Sequence, residues 1–213
     1  MRKRVGLIPS SYGSEALASW LTGPAGPPRT RTVQPPPRVL FLSRSNTAVS
    51  IMAEAILEHW ADGRVRAASA ADRPFCGQVS PYALDVLVKH GVATQGLRSK
   101  AWGEFFGEGK PAFRFLITLC QVEAARLNWE CDSKRLVRAC WDMPDPVAMT
   151  GSAVEVRFAF DKAFATLESR IRKFLALPVQ RLADRNLARE LERIGEEPAG
   201  FPRVAPEKGP PKE

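Results

Sequence analysis

Apolar residues in this chain occur either in short unbroken runs or at helical spacing, and the two patterns alternate. Arg38-Val39-Leu40-Phe41-Leu42 follows a proline stop and has the length and apolar character of a buried strand. Beyond a polar stretch, Ile51, Met52, Ala55 and Ile56 recur at helical spacing within 50–61, and Glu54 and Glu58 are expected to face out. Residues 65–70 read as a second short strand. Residues 81–90 read as a helix carrying Leu84, Val86, Leu87 and Val88, closed by Gly91. Residues 113–119 and 135–139 read as third and fourth strands. Residues 154–177 form a long amphipathic helix, with Val156, Phe160, Phe164, Leu167, Ile171 and Leu175 at steps of three or four, stopped by Pro178. Residues 182–194 read as a last helix, closed by Gly195. Strands alternating with helices predict an α/β fold, a four-stranded parallel sheet with helices on both faces.

The flanks have a different character. Residues 24–37 are dense in proline, which removes backbone donors and favours extended chain. Upstream, residues 16–21 have the pattern of one or two helical turns, too short to stand alone. Residues 196–213 are rich in Pro, Gly, Glu and Lys. The predicted organisation is a largely disordered extension and linker over 1–37, a folded domain over 38–195 and a disordered tail over 196–213. No internal repeat is visible.

Composition narrows the function classes. Hydrophobic residues make up 45% of the chain, enough for a core, and no apolar run reaches the length of a membrane span. The basic start Met1-Arg2-Lys3-Arg4 is not followed by an apolar stretch of signal-peptide length. Cys76, Cys120, Cys131 and Cys140 are too few and too irregular for a disulfide framework. With only His59 and His90 to join them, no zinc site is expected. These features predict a cytoplasmic chain with free thiols, with no metal and no cofactor. The net charge is +8; residues 1–37 carry five Arg or Lys against one Glu, and residues 38–195 carry 23 basic against 18 acidic side chains. Of the +8 excess, +3 therefore lies outside the expected domain. Its mild remainder fits an anion-binding pocket without demanding nucleic acid.

The junction of the first strand and first helix reads Ser43-Arg44-Ser45-Asn46-Thr47-Ala48-Val49-Ser50, followed by Met52-Ala53-Glu54. Further on come Ser69-Ala70-Ala71, Pro81-Tyr82-Ala83-Leu84, Gly91-Val92, Leu97-Arg98-Ser99-Lys100-Ala101-Trp102, Leu116-Ile117-Thr118-Leu119-Cys120 and Trp141-Asp142-Met143-Pro144-Asp145-Pro146. In order and spacing these segments resemble the low-molecular-weight protein tyrosine phosphatases and the related arsenate reductases, over about 38–195. The long helix and the 182–195 extension resemble the arsenate reductase branch. The resemblance implies a low-molecular-weight phosphatase-like fold and assigns residues 43–50 to the phosphate loop. In that family the loop opens with a Cys, and after five residues an Arg and a Ser or Thr follow. A helix N-terminus behind such a loop aims N–H groups at an anion and makes the thiol a thiolate. The Arg grips the oxygens, and an Asp across the pocket protonates the leaving group.

This chain departs from that pattern at two positions. Ser43 stands at the nucleophile position and Val49 at the Arg position. A serine without a nearby base is a poor nucleophile, and neither histidine falls where the family would supply one. Asn46 matches a loop-bracing asparagine, Ser50 the hydroxyl beside the nucleophile, and Asp145 the general acid. Asp145-Pro146 also reads as a simple turn. Arg44 either replaces the missing cation or lies in solvent. In the thioredoxin-coupled arsenate reductases oxidation is relayed to a Cys at the end of the third strand and on to another. Cys120 and Cys131 occupy comparable places here, with a wider spacing, and without a first thiol the relay cannot start.

The leading expectation is a catalytically inactive family member. Its loop, Ser43 through Ser50 with Arg44, Ser45, Asn46, Thr47, Ala48 and Val49 between, binds phosphate, sulfate or arsenate weakly, or a protein partner takes the old pocket. Two alternatives are a residually active phosphatase or arsenate reductase-type enzyme and a basic nucleic-acid accessory. No basic patch interleaved with aromatics and no helix-turn-helix pattern supports the last.

Overall fold

A computed structural model describes residues 35–71, 77–105, 112–120 and 136–197. The expected 16–21 turn, most of the proline-rich linker, Cys76, Cys131 and the tail from 198 lie outside the described residues. The strands are β1 (Arg38–Ser43), β2 (Arg66–Ala71), β3 (Phe115–Thr118) and β4 (Val137–Cys140). They form one four-stranded, all-parallel sheet in the order β2-β1-β3-β4. The helices among the described residues are α1 (Val49–Ala61), α2 (Pro81–Lys89), α3 (Ala153–Ala176) and α4 (Asp184–Glu196), with 3-10 turns at Trp102–Glu104 and Pro146–Ala148.

Side-chain alternation along the strands separates two hydrophobic clusters. Val39 and Phe41 of β1, Phe115 and Ile117 of β3 and Val137 of β4 join the larger one, into which all four helices pack. Leu40, Leu42, Ala68, Ala70 and Leu116 face the other way, against Trp102 and Phe113. On this second face the described cover is the 102–104 turn with Phe105 and Phe113; the stretches 106–111 and 121–135 lie outside the described residues.

Local chemistry fixes the element ends. Pro81 starts α2, where its missing N–H costs nothing, and Gly91 follows at φ +70, a conformation glycine adopts freely. Ser152 and Glu155 form a capping box at the start of α3. Expected strand ends move by one to three residues: β2 begins at Arg66 rather than Val65, β3 covers only 115–118, and β4 runs 137–140 rather than 135–139.

Two expectations are corrected. Gly195 does not close the last helix but lies inside it. A Cβ there would stand 2.7 Å from Trp141 Cδ1 and closer still to the Cys140 carbonyl oxygen, so the glycine is required by the approach of α4 to the end of β4. Glu54 does not face out: its side chain is 16% exposed and paired with Lys100.

Near-complete burial of Arg170 on α3 explains how α4 is held. Its Nη1 donates to the carbonyls of Trp141 (3.1 Å) and Asp142 (3.3 Å), and its Nη2 to those of Gly195 (2.7 Å) and Glu197 (3.0 Å). A cation at the carboxyl end of α4 meets the negative end of the helix dipole. Burial pulls the guanidinium pKa down from its usual value, opposed by Glu197 and Asp142. Trp141 Nε1 adds a bond to the Leu191 carbonyl at 2.9 Å. These contacts carry the packed unit to Glu197 and anchor the start of the segment leading to Asp145.

Candidate functional site

The carboxyl ends of the strands are where open α/β sheets carry their ligands, and β1 delivers Ser43 there. The chain then crosses 44–48 and enters α1 at Val49. Ala48 occupies the N-cap position and supplies no side-chain cap to the first-turn N–H groups. The loop reaches this point through Asn46 in the left-handed region, φ +51, which asparagine tolerates better than most side chains.

Asn46 is fully buried, and its side chain organises the loop. Nδ2 donates to Ser50 Oγ (2.9 Å) and to Ser69 Oγ on β2 (2.8 Å). Oδ1 accepts the Lys100 N–H (2.7 Å), and the Asn46 carbonyl accepts Ser99 Oγ (2.5 Å). Ser69 Oγ donates in turn to Glu54 Oε2 (2.5 Å), which also accepts from Lys100 Nζ (2.7 Å). One bonded chain thus runs from the Lys100–Glu54 ion pair through Ser69 and Asn46 to Ser50. Glu54, Ser69, Ser99 and Lys100 were not recognised as loop-supporting residues in the sequence. The resembling segments contained them, but their partners lie 15 to 54 residues away, beyond the reach of any local pattern.

Ser43 Oγ lies 2.6 Å from Ser50 Oγ and accepts the Asn46 N–H at 3.1 Å. No base touches it among the described residues. His59 edges Trp60 and His90 stacks on Phe164. Val49 is 5% exposed and packs in the larger core cluster. Arg44 is exposed. Ser45 Oγ and Thr47 Oγ1 are 2.8 Å apart. The 77–80 stretch closes over them, with Gly77 N–H on the Ser45 carbonyl and Ser80 N–H on the Thr47 carbonyl.

Asp145 is exposed and accepts the Val147 N–H at 3.1 Å, capping the 3-10 turn that Pro146 begins. The turn and the loop meet at one cavity of about 490 Å³, lined on one side by Thr47 and on another by Pro146 and Val147. Cys120 is half-buried beyond β3; Cys131 lies outside the described residues, so no geometry joins the two. Cys140, half-buried at the end of β4, has its thiol pKa pushed up by burial and, to a lesser extent, by Asp142 and Glu192. Burial also raises the Glu192 carboxyl, although Glu192 accepts the Cys140 N–H. Among the described residues no cluster of His, Cys, Asp and Glu could hold a metal, and no helix is long and apolar enough to cross a membrane.

A strand–loop–helix junction at the carboxyl edge of a β2-β1-β3-β4 parallel sheet, with an Asp-Pro turn across the cavity, is the arrangement of an open α/β domain with its site at the strand ends. The family model for low molecular weight phosphotyrosine protein phosphatase matches residues 38–187, and the chain belongs to that family. Comparison with curated proteins gives no match. Among solved structures, an arsenate reductase in the phosphate binding state aligns at TM-score 0.54 and 21% identity, covering 66% of this chain and 97% of its own. The low molecular weight protein tyrosine phosphatase of T. tengcongensis aligns at TM-score 0.53 and 21% identity, covering 68% and 99%. At that identity the likeness establishes the fold.

Proposed function

We propose that this chain is a catalytically inactive member of its family that holds a tetrahedral oxyanion weakly at residues 43–50. The observation that carries the reading is the environment of Ser43 Oγ. It is bonded to Ser50 Oγ and to the Asn46 N–H, with no base in contact, and buried Val49 follows where the family carries a guanidinium. A hydroxyl so placed is a donor or acceptor for a ligand and a poor nucleophile. Without the Arg, transition-state charge lacks its preorganised partner, which typically costs about 10²–10³ in rate on its own. Binding rests instead on backbone N–H groups at the uncapped start of α1, which side-chain substitution leaves in place. Asp145 then serves as the cap of its turn.

The test is an assay of p-nitrophenyl phosphate hydrolysis and of arsenate reduction, run beside the Ser43→Cys, Val49→Arg double variant. The expected result is no turnover above blank for the natural chain. Turnover abolished by Ser43→Ala overturns inactivity. For binding, a phosphate titration followed by amide shifts should move residues 43–51 with a Kd in the millimolar range or weaker, an order-of-magnitude expectation of about 4 kcal/mol or less. Stationary amides at tens of millimolar phosphate would reject the oxyanion reading.

A further inference from the structure

At the end of the sheet away from the 43–50 loop, the strands begin on arginines. Arg38 of β1 stands beside Arg66 of β2 in the strand register, and on its other side the Arg114 N–H, just ahead of β3, bonds the Arg38 carbonyl. Neighbouring strands lie about 4.8 Å apart, so three arginines follow one another across this edge. Arg66 pairs with Glu58 and Arg114 with Asp184. Arg38, between them, has the Phe113 ring at 5.4 Å and no carboxylate partner among the described residues. The Arg114–Asp184 pair joins this row to the start of α4, where a second row begins. Arg185, Arg189 and Arg193 are exposed at every fourth residue, in steps of about 6 Å along the axis, with Arg181 exposed just ahead of the helix. We propose that this edge and the outward face of α4 form one surface that binds the phosphodiester backbone of a nucleic acid, independently of base sequence.

The carboxylates beside the second row are largely committed. Asp184 is held by Arg114, Glu192 accepts the Cys140 N–H, and Glu197, just past the helix, pairs with Lys173 of α3. Glu190 pairs with Arg193. Arg181, Arg185 and Arg189 have no such partner among the described residues, so apart from Glu196 the uncommitted charge of this face is positive. The kind of partner follows from what the surface lacks. Of the large exposed apolar side chains, Val88, Val147, Met149, Val154 and Phe158, none lies on α4 or at a strand start. The apolar residues of α4, Leu187, Leu191 and Ile194, are buried in the larger core cluster. Protein partners ordinarily anchor on buried aromatic or apolar side chains, and membranes on an exposed apolar helix face. Arginines without either suit a polyanion, and the forked guanidinium matches phosphate oxygens. Spread over two elements, they fit backbone contacts, which carry affinity and no sequence information.

The experiment is fluorescence anisotropy of a short labelled DNA duplex with the full chain, at salt from about 50 to 200 mM. The expected Kd is about 10⁻⁶–10⁻⁴ M, weakening linearly with log salt by about 0.9 in slope for each phosphate neutralised. The Arg185→Gln, Arg189→Gln double variant should cut the slope by about two and the affinity by at least about tenfold, and adding Arg38→Gln should remove about one more from the slope. Arg157→Gln, at an exposed arginine near the start of α3, should leave both unchanged. Amide shifts on adding the duplex should fall at Arg38, Arg66, Arg114 and 181–193. No binding at low salt, an unchanged slope in the double variant, an equal loss in Arg157→Gln, or shifts confined to 1–37 or 43–51 overturn the proposal. A polyglutamate peptide that binds these residues as tightly as the duplex overturns it in favour of an acidic protein partner. Phosphate shifts at 43–51 are read separately, so failure of the loop reading and failure of this one are told apart.

Discussion

On the side of the loop that faces β2, Asn46 Nδ2 donates to Ser50 and Ser69 and its Oδ1 accepts the Lys100 N–H, and behind them Lys100 and Glu54 pair at 8% and 16% side-chain exposure. On the side where the family resemblance puts chemistry, Ser43 holds one hydroxyl and one amide neighbour, Val49 contributes only methyl groups, and Asp145 spends its carboxylate on its own turn. The difference separates two reasons for keeping a residue. The bracing side stabilises the fold whether or not anything is bound, because a buried polar group left unpaired costs about 1–3 kcal/mol. Ser43 and Asp145 on the other side hold fewer bonds and join no ion pair of this kind, so changing them costs the fold less.

The largest effect is expected where the bracing side is cut. Lys100→Met leaves the Glu54 carboxylate in a poorly solvated site with Ser69 as its remaining donor. Breaking a buried pair by removing one partner costs about 3–5 kcal/mol, and the partial exposure of Glu54 puts this case at the lower end, about 3 kcal/mol. Urea unfolding measures it directly. The Glu54→Leu, Lys100→Met double variant should recover most of the loss, because no charge is then stranded. A single-variant loss below about 1 kcal/mol would mean the two sides of the loop do not differ in the way described.

How far this contrast could be read from the sequence follows from what each element depends on. β1 and α1 were legible because Val39–Leu42 and Ile51–Ile56 carry their own periodicity, and the loop between them because its residue types stand in a familiar order. Glu54 was misplaced because helical spacing reports which face meets the apolar core and is silent about a lysine 46 residues later. Gly195 looked like a stop because glycine ends helices more often than it fills them; its role depends on the Cys140 carbonyl and the Trp141 ring across the chain. Arg170 occupies a core position of α3 that pattern alone assigns to an apolar residue. In each case the deciding contact joins segments distant in sequence.

A smaller effect should follow from restoring one group on the other side. Val49→Arg reintroduces a guanidinium at the start of α1, where a charge-assisted hydrogen bond is worth roughly 1.5–3 kcal/mol. Phosphate affinity, read from the amide shifts of residues 43–51, should rise by about one to two orders of magnitude at 1.4 kcal/mol per decade. Turnover should remain at blank because Ser43 is still the residue at the nucleophile position. An unchanged affinity would place the anion outside the loop.

The finest contrast is between two thiols in one molecule. Burial raises the pKa of Cys140, and Asp142 and Glu192 add to the shift, so it is neutral at neutral pH. Its alkylation rate should climb only as pH rises through that elevated value. The thiol introduced by Ser43→Cys sits at the start of α1 beside the Asn46 N–H and the Ser50 hydroxyl, donors that favour the charged form. Its pKa should fall toward the range of about 3.5–7.5 found at helix N-termini, leaving its rate nearly flat above neutrality. Low-pKa thiolates are intrinsically weaker nucleophiles, which offsets part of the gain in thiolate fraction. An advantage of about tenfold in iodoacetamide labelling at pH 6.5 is the expected net, read by mass spectrometry of the two peptides. Should the introduced thiol label no faster than Cys140, the loop's donors are not aimed at position 43. Both its anion affinity and the meaning of its bracing side would then need another account.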